Sequence, residues 1–121
     1  MPRPIHFEIQ AENVERAIAF YRELLGWEFN QWGKEPYWLV KTGEKGTPGI
    51  DGGLMPRQQP GATTVNTVGV TSLDDTLMKI ESGGGRMVVP RMAIPGIGWL
   101  AYCLDPEGNT FGVMEADEKA A

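Results

Sequence analysis

The chain has 121 residues, 41% of them hydrophobic and 22% charged, with a net charge of −5. That is the make-up of one globular domain with a real core, and its acidity excludes the basic face that nucleic acid or an anionic membrane requires. No apolar run nears the ~20 residues that span a bilayer. A single cysteine, Cys103, leaves no internal disulfide, and the opening Met1-Pro2-Arg3-Pro4-Ile5 carries no apolar leader, so the expected setting is cytoplasmic.

In chain order, Ile5, Phe7 and Ile9 alternate with His6, Glu8 and Gln10, which predicts a half-buried strand over residues 4–11. Asn13 suits an N-cap. Val14, Ala17, Ile18, Tyr21, Leu24 and Leu25 then form the apolar stripe of a helix that stops at Gly26. Two strands follow, Trp27 to Trp32 and Tyr37 to Thr42, joined by a turn around Gly33 to Pro36. A Gly/Pro-rich loop over 43–50 leads to a short strand, Gly52 to Met55, and residues 56–63 read as a linker. Beyond it, Val65 to Val70 is a strand, and Ser72-Leu73-Asp74-Asp75 has capping-box spacing. Leu73, Thr76, Leu77 and Ile80 carry a second helical stripe to the glycines at 83–85. Strands over Arg86 to Pro90, Gly98 to Leu104 and Thr110 to Glu115 complete the pattern, the last two joined by the turn Asp105 to Asn109. The tail, Ala116 to Ala121, is expected to fray.

The order β-α-β-β-β thus occurs twice, and the copies align at an offset of 59 residues. Asn13–Ile18 falls on Ser72–Leu77, Tyr21 on Ile80, Gly26 on Gly85, and Gly53-Leu54-Met55 on Gly112-Val113-Met114. The repeats cover 4–57 and 64–115 inside one domain, 1–121. The expected class is α+β, built of two tandem βαβββ modules whose equivalent positions can face each other across a cleft. Two copies of so long a unit do not make a solenoid.

The opening IHFEIQAENVERAIAFYRELLGWEF, the closing DPEGNTFGVMEAD and the doubled βαβββ order resemble the vicinal oxygen chelate superfamily. That group holds glyoxalase I, extradiol dioxygenases, methylmalonyl-CoA epimerase, fosfomycin-resistance enzymes and bleomycin-resistance proteins. The resemblance covers nearly the whole chain and implies a cup-shaped, glyoxalase-like cleft. It also implies a homodimer, because paired chains in that group often complete the cleft. It does not imply one reaction, since one fold carries many chemistries.

Enzymes of that group hold a metal with ligands on the first and last strand of each half. The matching positions here are His6, Gly53, Val65 and Gly112, and only the first has a donor atom. A stable divalent site needs roughly three or four protein ligands. The resemblance therefore implies a protein that binds a small organic molecule in an apolar cleft with no complete metal site and no cofactor, as bleomycin-resistance proteins bind without chemistry. The alternative is a metal-dependent lyase, isomerase or dioxygenase, similar to lactoylglutathione lyase. It would hold Ni, Zn, Mn or Fe with His6 and the non-standard carboxylates Glu8, Asp51 and Glu115. Glu8 shares the strand face of His6, and Asp51 shares that of Gly53. Glu115, three residues after Gly112, faces away unless a bulge shifts it.

His6 itself has three readings: a polar residue satisfied within the fold, a contact to a ligand, or a metal ligand. Trp38 and Trp99 lie on strands expected to wall the cleft and either line it or pack in the core. Glycine at both 53 and 112 widens the cleft floor, with Met114 beside it as pliable apolar surface. The expected ligand contacts are therefore His6, Glu8, Trp38, Gly53, Trp99, Gly112 and Met114, and no catalytic residue is assigned. Cys103 alternates with Trp99 and Ala101 and reads as a buried small hydrophobe. A third reading is an accessory domain whose cleft is filled by its own side chains.

Overall fold

A computed structural model describes residues 2–121. Its elements run β1 (Arg3–Ala11), α1 (Val14–Leu25), β2 (Glu28–Gln31), β3 (Trp38–Lys41), β4 (Gly52–Pro56), β5 (Thr64–Val70), α2 (Leu73–Ser82), β6 (Arg86–Ile94), β7 (Gly98–Leu104) and β8 (Thr110–Ala116). The class is α+β, two βαβββ modules, as the doubled pattern predicts. The chain divides into two compact units, His6–Val65 and Asn66–Ala121, the second together with the residues up to Ile5.

In the first module the strands are ordered β2-β3-β4-β1. β2, β3 and β4 form an antiparallel meander, and β4 returns parallel to β1. A parallel neighbour needs a long crossover, and α1 lies in that connection. The helix starts where Asn13 accepts the Arg16 N–H at 2.9 Å, and it stops at Gly26, whose φ of 73° is the left-handed conformation that glycine adopts without strain. Ile18, Val40 and Leu54 form the core beneath it, walled by Phe7, Ile9 and Trp27 among others. Leu54 is fully buried, which contributes about 2 kcal/mol.

Two residues of the expected apolar stripe are not in this core: Leu24 is 63% exposed and Leu25 49%. Trp27, stacked on Tyr21 at 5.2 Å and tilted against Phe7 at 5.9 Å, covers the core below the last helical turn instead.

The second module repeats the topology as β6-β7-β8-β5, with β8 parallel to β5. Ser72 caps α2 by accepting the Asp75 N–H, and Leu73, Ala101, Cys103 and Val113 form the core. Cys103 is fully buried there, and burial pushes its thiol up. β6 runs four residues past the predicted end at Pro90. It is the outer strand of its module, where proline's missing N–H costs no ladder bond, and the register shifts on either side of Val89 absorb the irregularity.

The tail also departs from expectation. Ala120 is buried and donates to the Asp117 carbonyl. Its own carbonyl accepts the Gly96 N–H, and Asp117 N–H bonds Ile97. The carboxylate of Asp117 accepts the Trp99 indole N–H at 3.0 Å. Residues after β8 are thus fastened to the β6–β7 turn.

Candidate functional site

Strand alternation and register decide which side chains meet. In the first module Phe7, Ile9, Leu54, Val40 and Trp38 face α1. Their neighbours His6, Glu8, Gly53 and Leu39 therefore share the opposite face, since paired residues in a sheet point the same way. Tyr37, two residues before Leu39, projects onto that face too.

There the three polar groups join. The Tyr37 hydroxyl donates to Glu8 Oε2 at 2.9 Å and lies 2.7 Å from His6 Nε2. Glu8 is only 5% exposed. An ionised carboxylate in such a place is costly unless it is hydrogen-bonded, and the phenol supplies a bond to it, of the kind that contributes about 1.5–3 kcal/mol. A phenol has one proton. As Tyr37 gives it to Glu8, the oxygen can only accept from His6, so the Nε2 nitrogen carries the hydrogen and Nδ1 the lone pair. Burial holds the His6 imidazole below its ordinary value, against the opposing pull of Glu8 and Asp51.

Gly53 completes the arrangement. A Cβ built there would fall on the Tyr37 hydroxyl. The glycine does not widen an empty floor; it makes room for the phenol. At the equivalent Gly112, a Cβ would come within 2.8 Å of Thr67 Oγ1 and 3.4 Å of Tyr102 Cε1. Thr67 stands at the repeat position of Glu8, and Leu100 at that of Tyr37, because Tyr102 lies opposite Gly112 as Leu39 lies opposite Gly53. The second module thus lacks the acidic, imidazole and phenol groups at these three positions, and Met114 lies there on the same face as Gly112.

Both tryptophans pack on the helix side of their modules. Trp38 packs against the Ile18–Val40–Leu54 core and lines, with Val14 and Pro56, a recess of about 410 Å³ that none of His6, Glu8 and Tyr37 reaches. Trp99 packs against the second core, with Arg91 4.4 Å over its ring and in turn paired with Asp74 at 3.0 Å. Both indoles sit on the helix side because they pair with core-facing partners, Leu54 and Glu115.

The fold family implies a metal, and the residues present do not fit one. His6 and Glu8 both bond Tyr37, and the space above Gly53 is taken. Asp51 accepts from the Thr42 N–H at 2.9 Å. Glu115, on the helix side as its odd spacing from Gly112 requires, accepts the Leu73 N–H at 2.9 Å and helps to cap α2. Among the described residues, His, Cys, Asp and Glu nowhere gather in a group of three able to hold an ion.

Comparison with known proteins agrees with the fold. The family of bleomycin resistance protein-like N-terminal segments matches residues 3–43. Two relatives named as glyoxylases, CFP32 of Mycobacterium tuberculosis and of Mycobacterium bovis, are 26% identical over 113 residues, 89% of this chain. The match covers 42% of their length, so the chain spans less than half of these relatives. A glyoxalase/bleomycin resistance protein/dioxygenase superfamily member from Vibrio splendidus superposes with a TM-score of 0.68 at 14% identity, covering 97% of this chain and all of that one. Methylmalonyl-CoA epimerase from Mycobacterium tuberculosis gives 0.64 at 17%, over 94% and 87%. With the doubled βαβββ topology, the chain shares the fold of the glyoxalase/bleomycin resistance protein/dioxygenase superfamily, and its residues 3–43 match the bleomycin resistance protein-like N-terminal family.

Proposed function

We propose that the protein binds a small organic molecule through the polar face of its first module, by hydrogen bonding to His6, which Tyr37 and Glu8 hold in place, and without a metal. One observation carries this reading: the Tyr37 hydroxyl fills the space over Gly53 and bonds both groups that a metal would need. Leu39, 46% exposed on the same face, supplies apolar contact beside the polar groups, the mixture that small-molecule sites use. Gly112 and Met114, on the corresponding face of the second module taken by itself, stay in this reading as ligand contacts, and so does a homodimer in the cytoplasm. Trp38 and Trp99 leave it.

Elemental analysis tests the reading directly. Untagged protein expressed with Ni, Zn, Mn, Fe and Co supplied should carry no stoichiometric metal, and His6→Ala should not change that. About one ion per chain, lost in His6→Ala, would replace this reading with a metal-dependent lyase, isomerase or dioxygenase.

A further inference from the structure

Three titratable groups in a line, graded from half-buried His6 through Tyr37 to buried Glu8, are more than a binding surface needs. We infer that they form a proton relay, with His6 as the base that meets the ligand and Glu8 as the buried store for the proton removed. The inference deepens the binding reading above and rests on it.

The hydrogen-bond directions prescribe the steps. With Nε2 protonated, Nδ1 is the basic nitrogen. It takes a proton from an acidic C–H or O–H of the bound molecule. The Nε2 proton passes to the Tyr37 oxygen over 2.7 Å, and the Tyr37 hydroxyl proton passes to Glu8 Oε2 over 2.9 Å. His6 gains a proton at Nδ1 and loses one at Nε2, ending as the other neutral tautomer; the Tyr37 oxygen gains one and loses one; the ligand is left as its conjugate base and Glu8 as the neutral acid. No oxidant or reductant enters. Running backwards, the same line returns the proton, to the original atom or to a neighbouring one. The fitting class is reversible proton abstraction: isomerisation, epimerisation or elimination.

Two features favour a relay over a satisfied structural cluster. The imidazole is neutral near pH 7, since burial outweighs the pull of Glu8 and Asp51, the carboxylates that face it. A neutral imidazole is the form that can abstract a proton. The second module keeps the fold with Thr67 and Leu100 in place of Glu8 and Tyr37, so the scaffold does not require them.

Tyr37 and Glu8 act through His6 and are relay residues; His6 alone would touch the substrate. Nitrobenzisoxazole is the probe. A base takes the C–H proton of its isoxazole ring, the N–O bond breaks, and the phenolate formed is coloured. The intact chain should open it faster than buffer, with a rate that falls as pH drops through the His6 pKa. Tyr37→Phe and Glu8→Gln should each lower kcat by about tenfold or more with KM unchanged. Nitrogen NMR of the single histidine should show hydrogen on Nε2 in the parent chain and lose that preference in Tyr37→Phe. A rate no greater than buffer, equal rates in the variants, or hydrogen on Nδ1 in the parent would overturn the relay. Probe-induced shifts at His6 without turnover would do the same and leave the binding reading standing, which metal uptake alone would remove.

Discussion

At position 53 the phenol of Tyr37 dictates glycine. Gly53→Ala would drive a methyl group onto the hydroxyl. The phenol is the free end of a side chain, so it swings out and the backbone stays. The expected loss is that of two hydrogen bonds around a buried carboxylate, about 1–3 kcal/mol, read as a lower urea midpoint together with a moved His6 ring signal. At Gly52 a Cβ would instead stand 2.5 Å from the Phe7 carbonyl, where only backbone could yield. Of this site the sequence made His6 and Glu8 legible, because alternation alone puts them on one face. Tyr37 was not legible as a member. Its role depends on β3 pairing with β4 so that Leu39 lies opposite Gly53, and register across a long loop leaves no mark in the letters.

The elements were legible where short-range signals agree. Asn13 and Ser72 cap the helices as read, and the strand cores follow apolar alternation. What alternation could not show is long-range capture of chain ends. Glu115 reaches the Leu73 N–H, and Asp117 holds Trp99. A tail rich in charge and alanine reads as frayed, yet its order comes from partners on β7 and the turn before it. Losing a cap costs about 1 kcal/mol. Glu115→Ala should therefore lower stability by about that much in urea, and Glu115→Gln by less, because the amide oxygen still accepts.

For the whole chain, the response to acid follows from which groups the fold perturbs. Burial depresses the His6 pKa, so below its ordinary value of 6.5 the unfolded chain takes up a proton before the native chain does. Stability should fall as pH drops through 6.5 and level off below the folded value. Asp105 is held low by the side-chain and backbone hydrogen bonds of Asn109, and Asp117 by the Lys119 N–H and the Trp99 indole. Their contribution is present above the ordinary carboxylate value and is lost only at lower pH. Urea midpoints from pH 8 to 3 should show two separate declines, and His6→Gln should remove the first. The doubled fold was itself legible at this scale, because the offset repeat spans both modules; the hydrogen-bonded line of the first module was not, since it rests on Tyr37.

The competition between the phenol of Tyr37 and a side chain at 53 also bears on ancestry. A lineage with a side chain at 53 would carry this tyrosine with its hydroxyl turned away from His6 and Glu8, and a descendant of this chain that regained one would give up those bonds. The hydrogen-bonded line and a side chain at 53 are alternatives, so the line arises only once position 53 is glycine.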